Sequence, residues 1–161
     1  MGGRIALRCS QPKIVLSTHP GLQTPEEKAA RSLHDQQWAH KLRHEPLEIF
    51  LKAWYDQPLF ESLRKHPDFP KIFSRRLKHD SQKLALMLEQ ESLAHQEFSL
   101  PKAIFLHGQF DTKFAQLYQS LKIPSLEISD AGHAAHLENP QGFAVVIRQG
   151  VKVLFAKSCD S

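Results

Sequence analysis

The chain has 161 residues, with 21 lysines and arginines against 17 aspartates and glutamates, which gives a formal net charge of +4. This length fits one domain, and a content of 41% apolar and 24% charged residues excludes a disordered or fibrous chain. No apolar run approaches the roughly 18 residues of a membrane span and no secretory signal is evident, so we expect a cytoplasmic protein with no membrane partner. Two cysteines near opposite ends predict no disulfide framework.

The first predicted elements are a strand and a long helix. The β-branched run at 13–18 predicts a buried strand that ends at the His-Pro-Gly loop 19–21. Residues 24–27, Thr-Pro-Glu-Glu, form a capping box with the threonine as N-cap, so a helix begins at the following proline and runs towards Leu42.

Further helical segments follow. A second helix is predicted by four apolar residues with helical spacing: Leu47, Phe50, Leu51 and Trp54. Another helical segment starts after Pro58. The helical pattern is interrupted at Pro67 and Pro70. An apolar face at 84–88 then predicts one more helix. We expect 25–97 to be a helical lid inserted between strands.

The last third of the chain alternates strands and helices. Residues 103–106 and 125–129 predict strands that each end in a glycine-containing loop. The apolar residues that predict the two helices are Phe114, Leu117, Tyr118 and Leu121 between the strands, and Phe143, Val146, Ile147, Val151 and Leu154 after them. This alternation predicts a parallel α/β sheet, formed by segments 1–24 and 98–161.

Two polar residues follow the late strands at the point where each strand ends. Asp111 comes after the first of them and His133 after the second. Functional side chains of an open α/β sheet cluster beyond the carboxyl ends of its strands. An acid and then a histidine is the second half of the Ser, Asp/Glu, His order of α/β-hydrolases. These two residues alone leave open that both are ordinary loop residues.

The first residues are similar to the second half of a nucleophile elbow, Gly-x-Ser-x-Gly. Met1 would be the residue after the serine, and Gly2 would be the closing glycine. We therefore expect the serine one position before residue 1 and an oxyanion-hole donor at Met1.

A set of motifs covers nearly the whole chain. They are Met-Gly-Gly-Arg at 1–4, His-Pro-Gly-Leu at 19–22, Glu-Glu-Lys-Ala-Ala-Arg at 26–31, Trp-Tyr-Asp-Gln-Pro at 54–58, Asp-Thr-Lys-Phe at 111–114 and Gly-His-Ala-Ala-His-Leu-Glu-Asn-Pro at 132–140. Together they resemble the 2-succinyl-6-hydroxy-2,4-cyclohexadiene-1-carboxylate synthases, lyases of the α/β-hydrolase superfamily that eliminate pyruvate in menaquinone (vitamin K2) biosynthesis. Gln109 departs from the glutamate that is usual there.

The resemblance implies the C-terminal part of an α/β-hydrolase fold with a helical lid. It also implies a catalytic triad of the expected serine, Asp111 and His133, in which the histidine takes the serine proton and the aspartate holds the imidazole tautomer. The activated serine then removes a substrate proton, and the enolpyruvyl group leaves as pyruvate. No cofactor is implied.

The resemblance further implies a small anionic polycarboxylate substrate. Arginine binds carboxylates through a planar, two-pronged set of donors, so Arg4, Arg31 and Arg76 are the expected clamps, with Trp54 lining the pocket. Arg75 is adjacent to Arg76, and the sequence does not decide which of the two faces the site. Without the resemblance, a helical arginine is a surface residue and Trp54 a core residue.

Other interpretations stay open. Because the serine is expected before residue 1, we expect the chain alone to be inactive. It would then be either a truncated remnant or one half of a split enzyme, whose partner is a missing N-terminal half. A serine esterase on the same fold would not need three arginine clamps. His133, His136 and Glu138 lack the spacing of a metal motif, and the basic run 75–79 lacks a nucleic-acid signature, so neither ligand is predicted.

Overall fold

The computed structural model describes residues 2–156. In chain order the elements are α1 (Gly2–Leu7), β1 (Lys13–Leu16), α2 (Pro25–His44), α3 (Leu47–Tyr55), a 3-10 turn (Pro58–Phe60), α4 (Glu61–Lys65), α5 (Phe69–Arg76), α6 (Ser81–Gln90), a second 3-10 turn (Leu93–His95), β2 (Ala103–Gly108), α7 (Thr112–Ser120), β3 (Ser125–Ile128), α8 (Ala135–Glu138) and α9 (Pro140–Ala156).

The described residues divide into two compact units. The first, here called the sheet unit, comprises 2–19, 58–66 and 100–156. The second, here called the helical unit, comprises 20–57 and 67–99. None of the described helices is long and apolar enough to cross a membrane.

The sheet unit is built on three parallel strands in the order β1-β2-β3. Lys13 pairs with Ala103, and Phe105 pairs with Ser125. The predicted parallel sheet is therefore confirmed. Because the strands run in one direction, the loops that follow them all lie at the same edge of the sheet.

Apolar side chains cover both faces of the sheet, since successive residues of a strand point to opposite sides. The buried residues of one cluster are Leu7, Val15, Phe105, Phe114 and Tyr118. The buried residues of the other are Leu106, Ile128, Ala131, Ala135 and Val146. A sheet that is apolar on both faces requires helices on both, which is the layered arrangement of α/β folds.

Helix α9 differs from its predicted apolar face at one residue. Phe143 and Ile147 pack against the second cluster as expected, but Val151 is 39% exposed. Gly150 faces the sheet instead, and a Cβ added there would lie 3.1 Å from Cδ1 of Ile14. Each residue turns a helix by about 100°, so the face that contains Gly150 leaves Val151 outside.

The helical unit begins with the predicted capping box. The Thr24 hydroxyl accepts a hydrogen bond from the amide of Glu27 at 3.1 Å, and the Glu27 carboxylate accepts one from the amide of Thr24 at 3.0 Å. The helical pattern is interrupted between α4 and α5, where Pro67 lies, and Pro70 lies in the first turn of α5. The missing amide of proline costs nothing in a first turn, where no intrahelical acceptor exists.

Gly108, the last residue of β2, offers a test of how closely the loops at the sheet edge pack. A Cβ added there would lie 2.7 Å from the carbonyl carbon of Ala131 and nearer still to the carbonyl oxygens of Ala131 and Gly132. We expect Gly108→Ala to lower the free energy of unfolding by about 1–3 kcal/mol, as overpacking does. Denaturant unfolding measures this. Gly2→Ala is the matched control, because within the described residues no atom outside its chain neighbours and its own helix backbone lies within 4 Å of the added Cβ. Equal stability of the two variants would contradict the packing.

Candidate active site

The acid of the predicted triad lies at the start of α7. Asp111 is the N-cap of this helix, and its Oδ1 accepts a hydrogen bond from the amide of Phe114 at 3.3 Å. Its side chain is fully buried, with 0% exposure. The loop before it is fixed to the neighbouring strand end, since the amide of Gln109 donates to the carbonyl of Ile128 at 2.9 Å and that of Phe110 to Ala131 at 2.8 Å.

Gln109 also contributes its side chain to this loop. Its Oε1 accepts a hydrogen bond from the amide of Asp130 at 2.9 Å. A glutamate would present an acceptor oxygen at the same place, so the departure from the family pattern at Gln109 leaves this contact intact.

His133 lies against the acid. Its Nδ1 is 2.9 Å from Oδ2 of Asp111, and its ring lies between those of Phe60 and Phe114, at centroid distances of 5.8 and 5.3 Å. An ionised carboxylate only accepts hydrogen bonds, so Nδ1 carries the proton and Nε2 holds the lone pair. The side chain is 25% exposed, and among residues 2–156 no hydrogen bond involves Nε2. This is the geometry of a histidine base oriented by an acid.

The loop that carries His133 is held by one carboxylate. Oε2 of Glu138 accepts from the amide of Gly132 at 2.9 Å, and Oε1 accepts from that of Ala134 at 3.0 Å. The residues on both sides of the histidine are thus fixed to the same side chain. Sequence reasoning gave Glu138 no role, although its position five residues after the histidine is compatible with this contact.

The residue that follows β1 also reaches the acid. Ser17 has a φ of +44°, and its hydroxyl donates to Oδ2 of Asp111 at 2.6 Å. The next residue, Thr18, is held by the fully buried Tyr118, whose hydroxyl accepts from the Thr18 amide at 2.7 Å and donates to the Thr18 carbonyl at 3.0 Å. Burial raises the pKa of Tyr118 above its usual range, and the charge of Asp111 adds to this rise. Sequence reasoning missed both contacts, which join residues about 100 positions apart.

The residues predicted to bind substrate lie in both units. Arg4 lies in α1 of the sheet unit and is half-buried, whereas Met1 lies outside the described residues. In the helical unit, Arg75 and Arg76 are both exposed in the last turn of α5. Trp54 is half-buried, and its ring contacts that of Trp38 edge to face at 5.1 Å.

Arg31 is held by a buried acid of its own helix. Its Nε lies 2.9 Å from each carboxylate oxygen of Asp35, which also accepts from the hydroxyl of Ser92 at 2.8 Å. The side chain of Asp35 is 4% exposed and that of Arg31 is 33% exposed. Within the described part of the chain, the terminal nitrogens of Arg31 make no hydrogen bond, so the anchored guanidinium still offers donors to a ligand carboxylate.

Substitution of Glu138 tests the support of the histidine loop. Glutamine offers one acceptor oxygen where two amides need one each, so we expect Glu138→Gln to lower the free energy of unfolding by about 1–3 kcal/mol. Chemical denaturation provides the measurement, and Glu127→Gln, at an exposed position of β3, should remain within about 0.5 kcal/mol of the parent chain. A Glu138→Gln chain as stable as that control would rule out the support.

Tyr118 should make stability depend on pH in the alkaline range. Its folded-state pKa is raised, so the neutral phenol stabilises the fold fully below about pH 10, the value for an unfolded tyrosine, and this contribution is lost as the pH rises further. We expect unfolding free energies measured from pH 8 to 11 to fall more steeply for the parent chain than for Tyr118→Phe. If the unfolding free energies of the two chains fell in parallel with pH, the pKa of the phenol would not differ between the folded and the unfolded state.

Comparison with known proteins identifies relatives of the chain. No protein-family model matches the chain. A 2-succinyl-6-hydroxy-2,4-cyclohexadiene-1-carboxylate synthase of Salmonella newport (strain SL254) is 37% identical over 157 residues, which cover 88% of this chain and 62% of the relative. The chain thus spans less than two thirds of the length of this curated relative.

Solved structures agree with the fold. MenH from S. aureus superimposes with a TM-score of 0.77 at 28% identity, over 88% of this chain and 58% of that one. A thermophilic esterase from Thermogutta terrifontis superimposes with a TM-score of 0.69 over 95% of this chain and 62% of the esterase, and at 21% identity it shows the fold alone. The predicted α/β-hydrolase fold and the predicted resemblance to the synthases are both confirmed.

Proposed function

We propose that this relative of the 2-succinyl-6-hydroxy-2,4-cyclohexadiene-1-carboxylate synthases eliminates pyruvate from 2-succinyl-5-enolpyruvyl-6-hydroxy-3-cyclohexene-1-carboxylate, with His133 as base and Asp111 as the acid that orients it. The observation that carries the proposal is the 2.9 Å hydrogen bond between them at the carboxyl edge of the sheet. This pair, in this chain order, matches the second half of the triad of the superfamily.

The nucleophile of the proposed triad is a serine, as in the Ser, Asp/Glu, His order of the superfamily. His133 takes the proton of that serine at Nε2, and the protonated imidazole is stabilised by the buried charge of Asp111. The serine oxygen removes a proton from the substrate ring, and the electron pair left behind forms a ring double bond as the C–O bond to the enolpyruvyl group breaks. The pyruvate enolate that leaves takes the proton from the His133 imidazolium, which restores the neutral base and gives pyruvate. Phe60 and Phe114 hold the imidazole ring from two sides, which limits its rotation during these transfers.

The substrate class of the proposal is a small polycarboxylate anion. Arg31 supports it, because Asp35 fixes its Nε and leaves the terminal nitrogens for a ligand carboxylate. We assign the same role to Arg4 and to Arg76, and we assign the wall of the pocket to Trp54. A fixed guanidinium loses less side-chain entropy on binding than a free one, which supports the assignment of Arg31 as a clamp.

The test is pyruvate release by the protein purified from its own cells, whose native length is read from its intact mass. We expect His133→Ala and Asp111→Asn to lower kcat by about 1000-fold or more, as the loss of a triad member does. His136→Ala is the matched control, three residues away, and should retain activity within about threefold.

Two outcomes would contradict the proposal. Pyruvate release that survives His133→Ala would remove the histidine from the reaction. Hydrolysis of a neutral ester without pyruvate release from the polycarboxylate would identify an esterase on the same fold.

A further inference from the structure

We propose that Ser17 is a positioning residue, whose hydroxyl holds the Asp111 carboxylate in the orientation that His133 requires. The inference rests on the proposed function for its catalytic consequence. Its structural part, a hydroxyl that fixes a buried carboxylate, stands on the contacts of the sheet unit alone.

The carboxylate of Asp111 receives its two short contacts on one oxygen. Oδ2 of Asp111 lies 2.6 Å from Oγ of Ser17 and 2.9 Å from Nδ1 of His133. Among residues 2–156, the hydrogen bond of Oδ1 is the longer one of 3.3 Å with the amide of Phe114. With 0% exposure, the side chain depends on these donors for stabilisation of its charge. Ser17 therefore supplies one of the two short hydrogen bonds, and both end on the same oxygen.

The backbone around Ser17 is held in place by hydrogen bonds. Its φ of +44° lies in the left-handed region, which is unfavourable for a residue other than glycine, asparagine or aspartate. The Ser17 amide donates to the carbonyl of Leu106 at 2.8 Å, and the Tyr118 hydroxyl forms hydrogen bonds with both the amide and the carbonyl of Thr18. The chain is thus fixed on both sides of a strained residue whose hydroxyl points to the acid.

The consequence for the histidine follows from the shared oxygen. Rotation of the carboxylate about its Cβ–Cγ bond would break the contact with Ser17 at the same time as the contact with His133. The hydroxyl therefore opposes that rotation and keeps the proton on Nδ1, so that Nε2 remains the acceptor.

The experiment compares Ser17→Ala with Ser17→Gly in the full chain. Both remove the hydroxyl, but only glycine adopts the left-handed backbone without strain. The probe is the Nδ1 proton of His133 in a proton NMR spectrum, which reports the hydrogen bond to Asp111 directly. We expect this resonance to shift upfield or to broaden by exchange with solvent in both variants. Unfolding curves of both variants establish that they are folded.

Thr18→Val is the matched control. It removes the neighbouring hydroxyl, which donates to the carbonyl of Leu16 at 2.9 Å and does not contact Asp111. The resonance of His133 should stay at its original position in this variant. A change in Ser17→Ala that is absent from Ser17→Gly would assign the effect to backbone strain and overturn the proposal, as would an unchanged resonance in both.

Pyruvate release separates this inference from the proposed function. We expect the Ser17 variants to have a kcat about tenfold lower with KM within about twofold, since the hydroxyl acts through the base and not on the substrate. Parent activity that requires His133 but is unchanged by both Ser17 variants would overturn the positioning role alone. Absence of pyruvate release in the parent protein would overturn the proposed function, and the NMR comparison would then decide the structural part.

Discussion

The buried carboxylate of Asp111 is the constraint on which the site depends. A charge with no exposed surface must be surrounded by donors, and here they come from three separate segments, at Ser17, Phe114 and His133. The parallel sheet makes this possible, because the ends of β1, β2 and β3 lie at one edge. The position of the acid therefore depends on the fold, because the carboxylate is stabilised only where the three loops meet.

Sequence patterns predict what is local. The capping box at Thr24 and the positions of Asp111 and His133 at strand ends follow from residue spacing, since each depends on neighbours within a few positions. The contact of Ser17 with Asp111 joins residues 94 positions apart, and no periodicity encodes it. Residues 58–66 belong to the sheet unit although they interrupt the helical unit in sequence, because the partner of a short helix is set by tertiary packing.

Arg31 illustrates how a structural role and the binding role proposed for it can share one side chain. Arg31 is bound through Nε to Asp35, and that acid is further bound by Ser92. A pairing of this kind is common in helices and would ordinarily account for the residue completely. Asp35 binds Nε and not the terminal nitrogens of the guanidinium, so the structural role and the proposed binding role would use different donors.

Helix α7 has a further consequence for how the site can be altered. Asp111 caps its first turn, and Tyr118 lies seven residues later, close to two full turns of 3.6 residues, so both fall on the same side of the helix. Because Tyr118 binds the backbone of Thr18, the helix fixes the distance between Asp111 and the end of β1. Its outer face carries Lys113, Gln116 and Gln119, all exposed. Substitutions on this outer face that stabilise or fray the helix would change how firmly the Asp111 carboxylate is positioned. Directed evolution could therefore alter the site through residues that lie outside it.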